Sequence, residues 1–98
     1  MKVNLQSVNF KADQKLLEFV QERMDKLDTY YDNIIGGEVF MKLDNSNSPK
    51  NKIVEVKLNI PGKDYMVKKE CKSFEEAADN ATEVLRRKLK EYKGKARV

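Results

Sequence analysis

The sequence predicts an α+β fold of βαβββα order, a four-stranded mixed sheet with two helices packed on one face. Three observations predict it. Four segments alternate apolar and polar residues with the period of a half-buried strand. Two longer segments space their apolar residues three and four apart, as an amphipathic helix does. The first helical segment lies between the first two strands, where a right-handed crossover can join parallel neighbours, and the last three strands follow one another as a meander. The expected strands are 2–10, 34–44, 52–60 and 64–72, the helices 13–29 and 74–93, and the tail 94–98, all in a single domain spanning 1–98.

The first strand, "VNLQSVNF", alternates at Val3 and Leu5 and then shifts phase to Val8 and Phe10. The shift predicts a bulge around Ser7. Asp13 is the expected N-cap of the first helix, whose apolar stripe runs through Leu16, Phe19, Val20, Met24 and Leu27. In "IIGGEVFMKL", Ile35, Val39, Met41 and Leu43 share one face, with Glu38, Phe40 and Lys42 on the other.

The segment "NSNSPKN", rich in turn formers, reads as a loop. "IVEVKLNI" sets Val54, Val56, Leu58 and Ile60 opposite Glu55, Lys57 and Asn59, and Pro61-Gly62-Lys63-Asp64 is a hairpin turn. The fourth strand puts Tyr65, Val67, Lys69 and Cys71 on one face. Ser73-Phe74-Glu75-Glu76 has the pattern of a capping box. Phe74, Ala78, Ala81, Leu85, Leu89 and Tyr92 then form a stripe down the last helix, with Gly94 as its stop. One sheet face takes both helices, and the other, alternately polar and charged, should be wet.

With 40% hydrophobic and 37% charged residues, the 98-residue chain suits a soluble domain with a thin core and a heavily charged surface. It has no apolar run of the ~18 residues a membrane span needs, and its first residues lack the apolar region of a signal peptide. The expected location is therefore the cytoplasm. Histidine is absent and Cys71 is the lone cysteine, which excludes disulfide frameworks and His/Cys metal sites within one chain. Cys71 reads as a small buried thiol, since no histidine can activate it. Carboxylates are scattered without a convergent set, so no enzyme, cofactor or small-molecule substrate is expected.

The distribution of charge is the informative feature. The last thirteen residues, "RRKLKEYKGKARV", hold seven basic side chains and one acid, while the whole chain is only +4. Part of this needs no function. Acids at Glu75, Glu76, Asp79 and Glu83 and bases from Arg86 onward oppose the helix dipole, each well-placed charge contributing about 0.3–1 kcal/mol. That accounts for two or three lysines, and seven cations extending past Gly94 point to a polyanion partner. At roughly 100° per residue, Lys90 and Lys93 each fall within about 40° of Arg86 beside the core stripe, with Arg87 on the opposite flank. On the first helix Arg23 and Lys26 border the stripe, with Lys15 near them. Two helices side by side would turn these cations into one ridge or groove suited to phosphates. Tyr30, Tyr31, Tyr92 and Phe40 are candidates to stack on bases. Tyr92 reads better as core, and Phe40 reads better as an isolated exposed aromatic.

The element order, "LLEFVQERMDKLDTYYDNI" and "SFEEAADNATEVLRRKLKEYKGK" together resemble the short-form ribosome hibernation-promoting factors, also called ribosome-associated inhibitor or subunit-interface proteins, over essentially the whole chain. The resemblance implies a factor that binds the small ribosomal subunit through phosphates of 16S rRNA, in the channel shared by mRNA and by A- and P-site tRNA. Such binding blocks translation, preserves idle ribosomes and, in many members, favours inactive ribosome dimers. The tail after Arg97 is expected to be too short to obstruct that pairing. By position, Arg23 and Lys26 match first-helix cations of the family, and Arg87 and Lys95 match last-helix cations. The expected RNA-binding set is Arg23, Lys26, Arg86, Arg87, Lys90, Lys93 and Lys95, on a chain that is a monomer when free. Three positions depart from the family pattern: Glu75 stands in place of a tyrosine, and Val84 and Glu91 in place of basic residues. Lys88 and Lys90 stand where neutral residues are common.

The order also resembles the double-stranded-RNA-binding domain with an added first strand. That family uses lysines at the start of its last helix. "SFEEAAD" is acidic there and would repel phosphate, so generic duplex or structured-RNA binding is the weaker alternative. The wet sheet face leaves a protein-interaction role as a further one.

Overall fold

The computed structural model of the chain describes residues 1–44 and 47–95. Its elements follow the predicted order: β1 (Lys2–Val8), α1 (Gln14–Asp25) continued by a 3-10 turn (Lys26–Thr29), β2 (Gly36–Leu43), β3 (Lys52–Ile60), β4 (Lys63–Cys71) and α2 (Phe74–Lys95). The strands lie in the order β1-β2-β3-β4, with β1 parallel to β2 and the other two pairings antiparallel. The α1 crossover is what allows the parallel pair.

Apolar alternation selects the covered face. Val39 and Met41 of β2, Val54, Val56, Leu58 and Ile60 of β3, and Val67 and Cys71 of β4 are buried under the helices. From above, α1 contributes Val20 and Met24, Leu27 follows in the 3-10 turn, and α2 contributes Ala77, Ala78, Ala81, Leu85 and Leu89. Three alanines in the first turns of α2 bring its backbone close to the sheet. Cys71 lies in this core, where Sγ accepts a hydrogen bond from Asn80 Nδ2 at 3.4 Å. Asp13 caps α1 as expected, its Oδ1 accepting from Leu16 N–H at 2.8 Å. Ser73 caps α2, its Oγ accepting from Glu76 N–H at 3.1 Å.

Four local expectations are corrected. The Ser7 bulge is absent, since β1 pairs one-to-one with β2 from Lys2 to Val8. Val8 ends the strand half-buried on the parity opposite Val3 and Leu5, and beyond it Asn9 takes a left-handed φ of 68° and turns Phe10 back to stack on Phe74, with ring centroids 4.5 Å apart. Asparagine is among the few non-glycine residues that adopt this conformation readily. Ile35 shares the inward parity but precedes β2 and is 64% exposed, while Ile34 enters the core in its place. Ile53 lies on the supposedly wet face yet is buried. Gly94 does not stop α2, which runs on through it to Lys95 without a left-handed turn.

Candidate nucleic-acid interface

Helices α1 and α2 pack side by side on the sheet, and an open groove of about 190 Å³ runs along their junction. Arg23, Lys26, Leu27 and Tyr30 line it from the α1 side, and Asp79, Thr82, Glu83 and Arg86 from α2. The sequence dictates this arrangement. Burial of Val20, Met24 and Leu27 turns the neighbouring positions 23, 26 and 30 toward α2. Burial of Ala78, Ala81, Leu85 and Leu89 turns positions 79, 83 and 86 toward α1.

The two groove arginines are held by specific contacts. The Arg23 guanidinium lies 4.8 Å over the Phe19 ring, and its Nε is 2.6 Å from Asp79 Oδ1. That contact is an ion pair without hydrogen-bond alignment. Arg86 grips Glu83 with a two-bond fork, Nε donating to Oε2 at 3.0 Å and Nη2 donating to Oε1. Arg86 also lies 5.8 Å from the centre of the Tyr30 ring, and Lys90 Nζ is 6.0 Å from the same centre. Cations over an aromatic face gain a modest electrostatic attraction. Tyr30 thereby gathers α2 cations to the α1 side of the groove. The Thr82 hydroxyl, buried at the groove floor, donates to the Ala78 carbonyl at 2.9 Å.

Of the seven candidate residues, four converge: Arg23, Lys26, Arg86 and Lys90. Arg87 points away, its side chain 67% exposed, with Nε 3.8 Å from Glu83 Oε1. Lys93 is exposed beyond the groove. Lys95 ends α2, with its side chain outside the described residues. Tyr92 belongs to the framework: its ring meets Tyr31 edge-on at 5.6 Å, and its hydroxyl donates to the Pro61 carbonyl at 3.3 Å.

Two features were missed in the sequence. Asp79 and Glu83, read there only as dipole compensation, are the direct partners of the groove arginines. The three- and four-residue spacing from Glu83 to Arg86 and Arg87 was the available signal, whereas the Arg23–Asp79 pair depends on how the helices dock. The second is a cluster on the other flank of α2, where Lys63 Nζ and Lys88 Nζ lie 5.0 and 5.6 Å from the Tyr65 ring centre. Burial, with a smaller contribution from Glu91, pushes the Tyr65 phenol up from its ordinary pKa.

Across the sheet, half-buried Phe40 and exposed Met66 line a shallow apolar groove bordered by Glu55, Lys57 and Lys68. Among the described residues, no three histidine, cysteine or carboxylate side chains are grouped to hold a metal, and no helix is long and apolar enough to cross a membrane.

Residues 3–97 match the family described as Sigma 54 modulation protein / S30EA ribosomal protein. A ribosome hibernation promotion factor of Deinococcus radiodurans is 31% identical over 86 residues, which cover 87% of this chain and 45% of the relative. The chain thus spans less than half the length of that relative. A ribosome hibernation promoting factor of Pseudomonas putida is 28% identical over 95 residues, covering 97% of this chain and 89% of its own. Two solved structures share the fold. The N-terminal domain of Thermus thermophilus Protein Y superposes with a TM-score of 0.81 at 22% identity, over 94% of this chain and 99% of that one. A ribosomal subunit interface protein from Coxiella burnetii gives 0.83 at 17% identity, over 96% and 99%.

Proposed function

The chain belongs to the Sigma 54 modulation protein / S30EA ribosomal protein family, and from that premise we propose that it is a ribosome hibernation factor. It binds the small ribosomal subunit through phosphates of 16S rRNA, in the channel that otherwise takes mRNA and tRNA. Occupancy blocks translation and keeps idle ribosomes intact, and the bound ribosomes pair into inactive dimers. The free protein is a cytoplasmic monomer, and inhibition proceeds without chemistry on the ribosome. The names of its relatives support the ribosome as partner.

One observation carries the choice of surface: Arg23 of α1 and Lys26 of its 3-10 continuation face Arg86 of α2 along a single groove, with Lys90 of α2 beside it near the same Tyr30 ring. Guanidinium forks and ammonium groups there fit phosphate oxygens. Duplex binding through the start of α2 is disfavoured, because Glu75 and Glu76 occupy its first turn. The test is charge reversal on each helix separately. Arg23→Glu with Lys26→Glu, and Arg86→Glu with Lys90→Glu, are each expected to abolish co-sedimentation with small subunits while the circular dichroism stays native. Normal binding by the α1 variant would restrict the interface to α2 and remove the shared groove.

A further inference from the structure

The groove is basic, yet its arginines are already engaged. Asp79 stands 2.6 Å from Arg23, and Glu83 accepts both forked bonds of Arg86 and lies 3.8 Å from Arg87. Both acids come from the α2 flank that faces α1, between the cations they hold. Stability is a poor reason for their presence. These pairs are partly open to solvent, with side chains 34% and 49% accessible in one and 28% and 45% in the other, although Arg23 Nε itself is buried, and ion pairs with a solvated partner contribute little to folding.

Their effect on a ligand is direct. A phosphate arriving at Arg86 replaces a carboxylate in one charge-assisted bond with its own oxygens in another, and at Arg23 it displaces the carboxylate of a close ion pair, so either exchange gains little. The displaced carboxylate then faces the phosphate across the groove and repels it. Lys26 and Lys90 differ, because among the described residues neither is in an ion pair. They belong to different elements, Lys26 lining the groove on α1's continuation and Lys90 standing beside it on α2, near Tyr30. Only a ligand that spans both elements collects both free ammonium groups.

We infer that Asp79 and Glu83 are specificity-determining residues, built-in competitors of phosphate. They make the groove accept an RNA fold that brings phosphates to both helices at once and turn away single-stranded RNA that offers them one at a time. The inference rests on the RNA-binding reading above and says how that site selects.

The test compares the full chain with Asp79→Asn/Glu83→Gln, an isosteric change, against two ligands at one fixed salt concentration: poly(U) and isolated small ribosomal subunits. A control, Glu22→Gln/Asp25→Asn, removes the same charge from the flank of α1 that adjoins Leu5 of β1. Poly(U) affinity is expected to rise about tenfold in the groove variant, the size expected for two exposed charges facing phosphate, and less than about twofold in the control. Subunit affinity is expected to change little, so selectivity falls about tenfold. Unchanged or weaker poly(U) binding overturns the inference, as does an equal rise in the control, which would make net charge the cause. If the double variant loses its native circular dichroism, Glu83→Gln alone decides the matter, with an expected rise of about threefold. Failure of the wild-type chain to bind subunits would instead sink the ribosome reading, while the poly(U) comparison still decides the role of the acids.

Discussion

Glu83 accepts two hydrogen bonds from Arg86 and stands near Arg87 and Lys90. The Arg86 hydrogen bond, helped by the charges of Arg86, Arg87 and Lys90 and opposed by partial desolvation, holds its carboxyl below the usual carboxylate range. The same bond raises the pKa of the Arg86 guanidinium. A depressed carboxylate pKa stabilises the folded state above the ordinary carboxylate value, and that contribution disappears as pH falls through the lowered one. Titration of the Glu83 side-chain carboxyl by carbon-detected NMR should give a midpoint below that of an unpaired glutamate. In Arg86→Lys the midpoint should move upward, because an ammonium cannot reproduce the two-bond fork. An unchanged midpoint in that variant would mean that the fork does not form in solution.

Helix α2 makes both the core and the groove, so its placement decides the site. Ser73 Oγ satisfies the Glu76 amide at its start, and Leu85 sits fully buried halfway along. Ser73→Ala should cost about 1 kcal/mol, and Leu85→Ala about 2–5 kcal/mol, both read from urea midpoints. Equal midpoints for Ser73→Ala and wild type would show that the cap does not hold α2. Most of this framework was legible in the sequence, because burial enforces periodicity: Leu85 and Leu89, or Val54, Val56 and Leu58, have one face to choose. Where burial does not decide, pattern failed. Val8, half-buried on the outward parity, and the left-handed Asn9 that turns Phe10 inward together resembled a bulge at Ser7. Ile35 keeps the inward parity but lies outside the strand, and Gly94 stays helical with nothing within 4 Å of where a Cβ would sit. For the site, the stripe geometry grouped Arg86, Lys90 and Lys93 and set Arg87 on the opposite flank; Arg86 and Lys90 do share the Tyr30 ring, whereas Lys93 lies beyond the groove. The pairing of Arg23 with Asp79 was not legible, since it depends on the axial offset of two helices far apart in sequence.

At the scale of the molecule, charge is distributed unevenly over an ordinary fold. The outer sheet face mixes signs, with Lys42 near Glu55 and Lys68 near Glu70, whereas the end of α2 and the facing wall of α1 concentrate cations around Tyr30. The proposed reading has this surface exchange counterions for phosphates, and on that reading salt weakens the complex. Co-sedimentation with small ribosomal subunits across a salt series tests this most directly. With Lys26 and Lys90 neutralising phosphates and the two arginines exchanging carboxylates for them, the logarithm of the binding constant should fall with the logarithm of salt at a slope of about −1.5. That is a loss of about 8-fold between about 50 and about 200 mM monovalent salt. A flat dependence, or no co-sedimentation at any salt, would contradict it.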